Sequence, residues 1–236
     1  MSDEAKVAVI TGASQGIGAG LVKGYRERNW RVVATSRGIA TSDAPELLSI
    51  AGDIGDPATG PGVIAQALER FGRVDTLVNN AGVFIGGPFT TYTAEQYAQA
   101  LSTNLNGFFF ITQAAVAAME RQGGGHIVSI TTTLVDHAMS ASPSVLAALT
   151  KGGIAAATRS LAIEYARRGI RVNAVAPGVI ATPMHDPASY EALAALHPIG
   201  RLGQIDDIVG AVLYLEEAPF VTGEILHVDG GQAAGH

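Results

Sequence analysis

Thr11-Gly12-Ala13-Ser14-Gln15-Gly16-Ile17-Gly18 is the stretch whose reading decides the fold. An apolar run, Val7-Ala8-Val9-Ile10, leads into it, and a helical pattern over 16–28 leads out. Strand, glycine turn and helix together form a cradle for phosphate. Gly12 permits the tight turn, while Gly16 and Gly18 let backbone and ligand approach closely. The helix that follows aims its free N–H groups and the positive end of its dipole at an anion. A glycine-rich turn alone says little. Placed directly after a strand near the start of the chain, it points to a dinucleotide site.

Outward from this stretch, short apolar runs alternate with helical segments. Strands are expected at 6–11, 31–36, 48–52, 76–79, 126–130, 171–175 and 224–228. Helices are expected at 16–28, 57–70, 94–103, 105–121, 144–168, 187–196 and 206–215. Continuous apolar strands alternating with helices predict an α/β fold, its parallel sheet covered on both faces. Asp56-Pro57 reads as an N-cap followed by proline at the first helical position. Between Arg37 and Asp53 the chain is short and carries Gly38, Pro45 and Gly52, so no full helix is expected there. There is no internal repeat, linker or low-complexity tract, and residues 1–236 read as a single domain.

The composition narrows the function. The chain has 236 residues, 47% of them hydrophobic and 15% charged, enough to bury a large core. A net charge of −6 without a long basic run argues against nucleic acid as a partner. No apolar segment reaches membrane-spanning length, and the opening Met-Ser-Asp-Glu-Ala-Lys lacks a leader pattern. The absence of cysteine excludes disulfides, thiolate catalysis and Cys-ligated zinc, and makes a cytoplasmic setting the expectation. No metal site is expected.

Three further stretches extend the site. Thr35-Ser36-Arg37 ends the second strand where an acid often binds the adenosine ribose. A guanidinium and a hydroxyl suit a 2′-phosphate, which a carboxylate would repel, so NADP(H) is favoured over NAD(H). Asp53-Ile54 ends the third strand, where a carboxylate can meet the adenine amino group; a turn or cap role for Asp53 stays open. Leu77-Val78-Asn79-Asn80-Ala81-Gly82 sets two amides and small residues at the mouth of the expected crevice.

With these residues in view, the chain resembles a short-chain dehydrogenase/reductase, nearly from end to end. The motif at 11–18, Asn79-Asn80-Ala81-Gly82, Asn104 in Thr-Asn-Leu-Asn-Gly, Lys151 and Pro177-Gly178 fall in the family's order. So do Phe220-Val221-Thr222-Gly223 and Val228-Asp229-Gly230-Gly231. The resemblance implies a Rossmann fold, a doubly wound seven-stranded parallel sheet, and a homotetramer acting on a small molecule. It also implies roles. Gly12, Ser14, Gln15, Gly16, Ile17 and Gly18 would hold the pyrophosphate. Asp53 and Ile54 would hold the adenine, and Asn80, Ala81 and Gly82 the adenosine side, with Asn80 partly structural. Pro177, Gly178, Ile180 and Thr182 would flank the nicotinamide, and Lys151 would bind its ribose.

The pattern breaks at the proton donor. In the family a tyrosine four residues before the lysine supplies the proton, and that spacing stacks both on one helix face. Here position 147 is Ala147, and the tyrosines at 92, 97 and 165 do not restore the spacing. The family's serine falls on Thr132, which keeps the hydroxyl. With two positions departing together, a natural variant is favoured over a single engineered knock-out. Asn104, which in the family anchors a water feeding the lysine, is present. Truncation to Ala147 leaves room for a water held by Lys151 or Thr132. His137, on the loop after the fifth strand, is a candidate proton donor near neutral pH, with a solvated loop histidine as the plainer reading. His185 falls in the substrate lid. His126 and His227 are expected at a sheet edge or subunit contact. Phe84, Leu134, Met139 and Met184 are expected to give a mostly apolar pocket.

Two readings follow. One is an NADP(H)-dependent oxidoreductase moving hydride to or from a small carbonyl, imine or activated alkene, with a non-tyrosine proton donor. The other keeps the cofactor cradle but has lost the chemistry, leaving a sensor or assembly role.

Overall fold

The computed structural model describes residues 5–235; the first four residues, read above as lacking a leader pattern, lie outside them. Seven strands form one sheet. They are β1 (Val7–Thr11), β2 (Arg31–Ser36), β3 (Leu47–Ala51), β4 (Thr76–Asn79), β5 (Gly125–Ile130), β6 (Ile170–Pro177) and β7 (Ile225–Val228). Their order is β3-β2-β1-β4-β5-β6-β7, and every pairing is parallel. The order reverses between β1 and β4, which is where a sheet of this kind opens a ligand crevice at its carboxyl ends.

The helices are α1 (Gly16–Arg26), α2 (Thr59–Phe71), α3 (Ala94–Ala100), α4 (Gly107–Gln122), α5 (Val145–Tyr165), α6 (Tyr190–Ala194) and α7 (Ile205–Glu217). Alternation along β1 explains the two layers. Val7 and Val9 pack with α2, α4 and α5 on one face, while Ala8 and Ile10 pack with α1 and α7 on the other. Both faces are covered, so the strands are mostly apolar, and β1 is apolar from Val7 to Ile10. Among the described residues, no helix is long and apolar enough to cross a membrane.

Several boundaries differ from the sequence reading, for local reasons. The expected break near Asn104 is a π-helical turn, Leu101–Asn106, that joins α3 to α4 without interrupting them. Apolar periodicity cannot reveal one extra residue in a turn. The Asp56 carboxylate accepts from the Ala58 N–H at 2.9 Å, and α2 starts only at Thr59. The expected helix at 187–196 is a 3-10 turn, Pro187–Ser189, followed by the short α6.

His126 also departs from expectation. It lies on the interior strand β5, only 2% exposed, whereas His227 does sit on the edge strand β7. His126 belongs to a buried polar network at the amino ends of the strands. Glu216 Oε2 accepts from Thr76 Oγ1 at 2.7 Å and from Tyr25 Oη at 3.3 Å, and lies 3.0 Å from His126 Nδ1. Asn173 Nδ2 and Arg171 Nη1 face His126 Nε2 at 3.1 and 3.4 Å. Two donors at Nε2 require a lone pair there, so the ring is neutral and Nδ1–H donates to Glu216. Burial, reinforced by Arg171, holds His126 below its ordinary value of 6.5. Burial alone would raise Glu216, but the His126 and Thr76 hydrogen bonds and Arg171 hold it below 4.5.

Both folded-state values lie below the unfolded ones. Each group therefore adds stability that is complete above its unfolded value and is lost as pH falls, His126 from about 6.5 and Glu216 from about 4.5. Glu216→Leu strands three buried partners. We expect a loss of about 3 kcal/mol, or a Tm lower by about 10 °C at pH 7, with a flatter decline between pH 7 and 4. Scanning calorimetry across that range checks it; an unchanged acid slope in the variant would remove the network as its source.

Candidate functional site

β1 delivers its carboxyl end to the glycine turn. Gly12 has φ of +63° there, and a Cβ on it would stand 2.8 Å from Ala81 Cα, so the turns after β1 and β4 can meet only without a side chain. A Cβ on Gly18 would collide with the Gly12 carbonyl oxygen, so Gly18 lets α1 pack against the turn. Asn80 locks the two turns together. Its Nδ2 donates to the carbonyls of Thr11 at 2.9 Å and Gly12 at 3.1 Å. Thr11 Oγ1 in turn accepts from the backbone N–H groups of Asn80 and Ala81.

Along the carboxyl ends of the strands runs a cleft of about 760 Å³. Gly12, Ser14, Gln15, Gly16 and Ile17 line its first part; Gly18 does not line it and packs against the Gly12 carbonyl. Gln15 enters α1 in an extended conformation with no side-chain cap, and the first turn carries no acid. The opening N–H groups of α1 therefore remain for an anion. Ser36, Arg37, Asp53 and Ile54 line the next part. Arg37 is exposed, and the hydroxyls of Thr35 and Ser36 are buried without a partner. Asp53 Oδ1 accepts from the Gly55 N–H at 3.0 Å, which gives it a turn role as well. Asn80, Ala81, Gly82, Pro177, Gly178, Ile180 and Thr182 continue the lining. A side-chain-free turn, an uncapped helix start and unpartnered hydroxyls fit a dinucleotide.

The chemistry end is built on α5. Ala147 and Lys151 lie one turn apart and both line the cleft, with Thr132 beside them. Lys151 Nζ donates to the Ile130 carbonyl at 2.7 Å. Burial lowers its pKa from 10.5 to about 8. A Cβ on Gly82 would lie 3.1 Å from Lys151 Nζ and 3.3 Å from Asn104 Oδ1, so both groups converge where Gly82 leaves space. Thr132 Oγ1 accepts from the Leu134 N–H at 3.3 Å. That bond uses a lone pair and leaves the hydroxyl proton to donate.

Asn104 lies behind the cleft, 2% exposed in the π turn. Its amide is held from both ends. Oδ1 accepts from the Val83 N–H at 2.9 Å, and Nδ2 donates to Val83 O at 3.1 Å and Thr150 Oγ1 at 3.0 Å. The side chain clasps the segment after Gly82, and Oδ1 keeps a second lone pair on the side where Gly82 leaves space.

Phe84, Leu134, Met139, Met184 and His185 also line the cleft. His137 does not. The 3-10 turn Thr133–Val135 carries the chain past the cleft, and the His137 N–H is bonded back to Thr133 O at 2.9 Å. Burial lowers the His185 pKa below 6.5, so its ring is neutral at neutral pH. Among the described residues, no tyrosine lines the cleft. Gln232, which sequence reasoning did not single out, does line it, 1% exposed, with Nε2 3.2 Å from Met139 Sδ. Asp229 holds its turn, accepting from the N–H groups of Gly231 and Ala233 and from Thr133 Oγ1 at 2.6 Å. No pattern in the chain announced that tie.

Comparison with known proteins places this geometry. A family model described as enoyl-(acyl carrier protein) reductase matches residues 12–233. The chain is 37% identical to an L-rhamnose 1-dehydrogenase (NAD(P)(+)) of Azotobacter vinelandii, over 96% of each chain. It is 35% identical to a 3-oxoacyl-[acyl-carrier-protein] reductase of Escherichia coli, over 98% of each. The solved structure of ElxO with NADP bound superposes with a TM-score of 0.91 at 28% identity, covering 98% of this chain and all of that one.

Proposed function

The chain belongs to the short-chain dehydrogenase/reductase family, and from that membership we propose an NADP(H)-dependent oxidoreductase whose proton donor is not tyrosine. Its substrate is a small carbonyl, imine or activated alkene. The observation that carries the reading is the convergence of Lys151, Thr132 and Ala147 on one cleft. A bound nicotinamide cofactor supplies or accepts hydride at the substrate carbon. Thr132 orients the substrate heteroatom with its free hydroxyl proton. Lys151 binds the nicotinamide ribose and is the proton source, passing its proton through a water in the space that Ala147 leaves. That space has polar neighbours, as a water site requires. Neutral His185 is a poor acid at pH 7, which favours the lysine-fed water. In reduction, the carbon gains hydride and the heteroatom, or the far carbon of a conjugated alkene, gains the proton. Phe84, Leu134, Met139 and Met184 give the substrate an apolar seat.

Arg37 supports NADP(H) over NAD(H). It stands exposed at the end of β2 beside Ser36, where a 2′-phosphate would carry negative charge. Exposed apolar residues support the homotetramer implied by the family: Phe109 on α4, with Leu149 and Ile163 on α5, at 54%, 52% and 81% exposure. Leu149 and Ile163 share the helix of the lysine.

The test is NADPH oxidation against matched ketones, imines and enones, together with cofactor binding by fluorescence. We expect turnover of at least one class, and Arg37→Ala to weaken NADPH about tenfold with NADH unchanged, from loss of a charge-assisted contact. Tight NADPH binding without turnover of any class would favour the alternative, a non-catalytic NADP(H)-binding homologue. That alternative draws on the same vacant acid position at Ala147.

A further inference from the structure

One wall of the cleft is a segment, 182–196, that contributes Thr182, Met184, His185, Leu193 and Leu196 to the lining. It has little core of its own, since no residue of α6 is buried. Its hydrogen bonds run locally: His185 N–H to Thr182 O at 3.1 Å, Ser189 N–H to Asp186 O at 2.9 Å, and Ala195 N–H to Glu191 O at 3.4 Å. Segments of this kind lie at the low end of local stability.

His197 fixes the far end of this segment. It is 3% exposed. Its Nδ1 lies 3.1 Å from the Leu193 carbonyl oxygen, and its Nε2 lies 2.9 Å from the Val179 backbone nitrogen. A carbonyl only accepts and a backbone N–H only donates. The ring is therefore neutral with its proton on Nδ1, and one imidazole satisfies both partners. Glycines leave the space that it fills. A Cβ on Gly178 would stand 2.6 Å from Nε2, and one on Gly230 would stand 3.2 Å from the His197 Cβ. Val179 and Leu193 both line the cleft, Val179 within the stretch assigned above to the nicotinamide and Leu193 on the wall.

We propose that His197 is a positioning residue that couples occupancy of the nicotinamide end of the cleft to closure of the 182–196 wall. This rests on the NADP(H) reading. The ring cannot turn toward Val179 without leaving Leu193. A ligand that orders 178–180 thereby fixes the acceptor nitrogen, and through the other side of the ring it fixes the last turn of α6. The coupling is reciprocal, so a closed wall raises affinity for the nicotinamide.

The experiment compares two probes on the full chain. One is NADPH; the other is 2′-phospho-ADP-ribose, which lacks the nicotinamide. Amide hydrogen exchange is followed over 186–197, and the affinity of each probe is measured. In the native protein NADPH slows exchange there about tenfold more than the fragment does. In His197→Leu that difference disappears, and the NADPH-to-fragment affinity ratio falls at least about fivefold, the low end of usual coupling. Fragment affinity stays unchanged, which a merely structural role would not give. His197→Gln can accept from Val179 N–H and donate from its other end, so it retains part of the difference. If His197→Leu does not fold, His197→Gln decides, with slowing between that of the native protein and none. Full slowing in the variant, equal slowing by both probes in the native protein, or equal loss of both affinities overturns the coupling. A native protein that binds neither probe overturns the cofactor reading and the coupling with it.

Discussion

Ala147→Tyr is expected to raise kcat for reduction of a simple ketone by about two to four orders of magnitude, the usual worth of a positioned general acid. The geometry is prepared for it. Ala147 lies on the cleft one helical turn before Lys151, whose ammonium would stabilise a phenolate and draw the phenol pKa toward neutrality. Thr132 is in place to orient the substrate oxygen. Ala147→Phe is the control that separates chemistry from cavity filling, since it takes the same space without the hydroxyl. Steady-state NADPH oxidation with one ketone and one preformed imine measures both effects. Once protonated to its iminium, the imine carries its charge already, so tyrosine gains nothing there and displaces the water. A ketone rate no higher in Ala147→Tyr than in Ala147→Phe would falsify the idea that the site lacks only its acid.

The second large effect belongs to Lys151. Lys151→Met is expected to lower kcat/KM at least about a thousandfold, since it removes both the ribose contact and the proton source. The pH dependence gives the mechanism away. With its pKa lowered to about 8 by burial, the native amine is mostly charged at pH 7 and loses its proton above 8. The reduction rate in the native protein should hold level below 8 and fall about tenfold per pH unit above it. The residual rate of Lys151→Met should show no such limb. A native profile flat to pH 9.5 would remove the amine from the proton path, whatever the size of the loss.

Much of this was legible in the chain because local rules and global fold agree. Residues 7–18 read correctly as strand, turn and helix, since apolar alternation, glycine placement and helix pattern all point one way. The seven strands fell within two residues of their observed limits, because strands covered on both faces read as short, mostly apolar runs. Ala147 and Lys151 could be set on one face by helical spacing alone. Other features depended on contacts distant in sequence. The π turn at Asn104 leaves no mark on periodicity, so the engagement of its amide by Val83 and Thr150 was hidden. His197 read as the residue after a helix, because its partner Val179 is eighteen positions away. Gln232 lines the cleft beside a turn that the Asp229–Thr133 bond, spanning 96 positions, ties to the segment after β5. His137 showed the opposite failure. Its place in the chain, just after β5, suggested the cleft, but the intervening 3-10 turn carries it past the lining.

The network beneath the sheet has a consequence for how the chain is made. Glu216 closes contacts with Tyr25, Thr76 and His126, which lie 191, 140 and 90 positions earlier. On a ribosome those partners emerge first and wait with polar groups that a much later segment, α7, must satisfy. A nascent chain of this protein therefore stays short of its final packing until α7 leaves the exit tunnel, however early β1 and α1 have formed. Such contacts between remote positions slow folding and leave partly built strands exposed in the interval. One acidic residue thus ties three segments made early to a helix made much later.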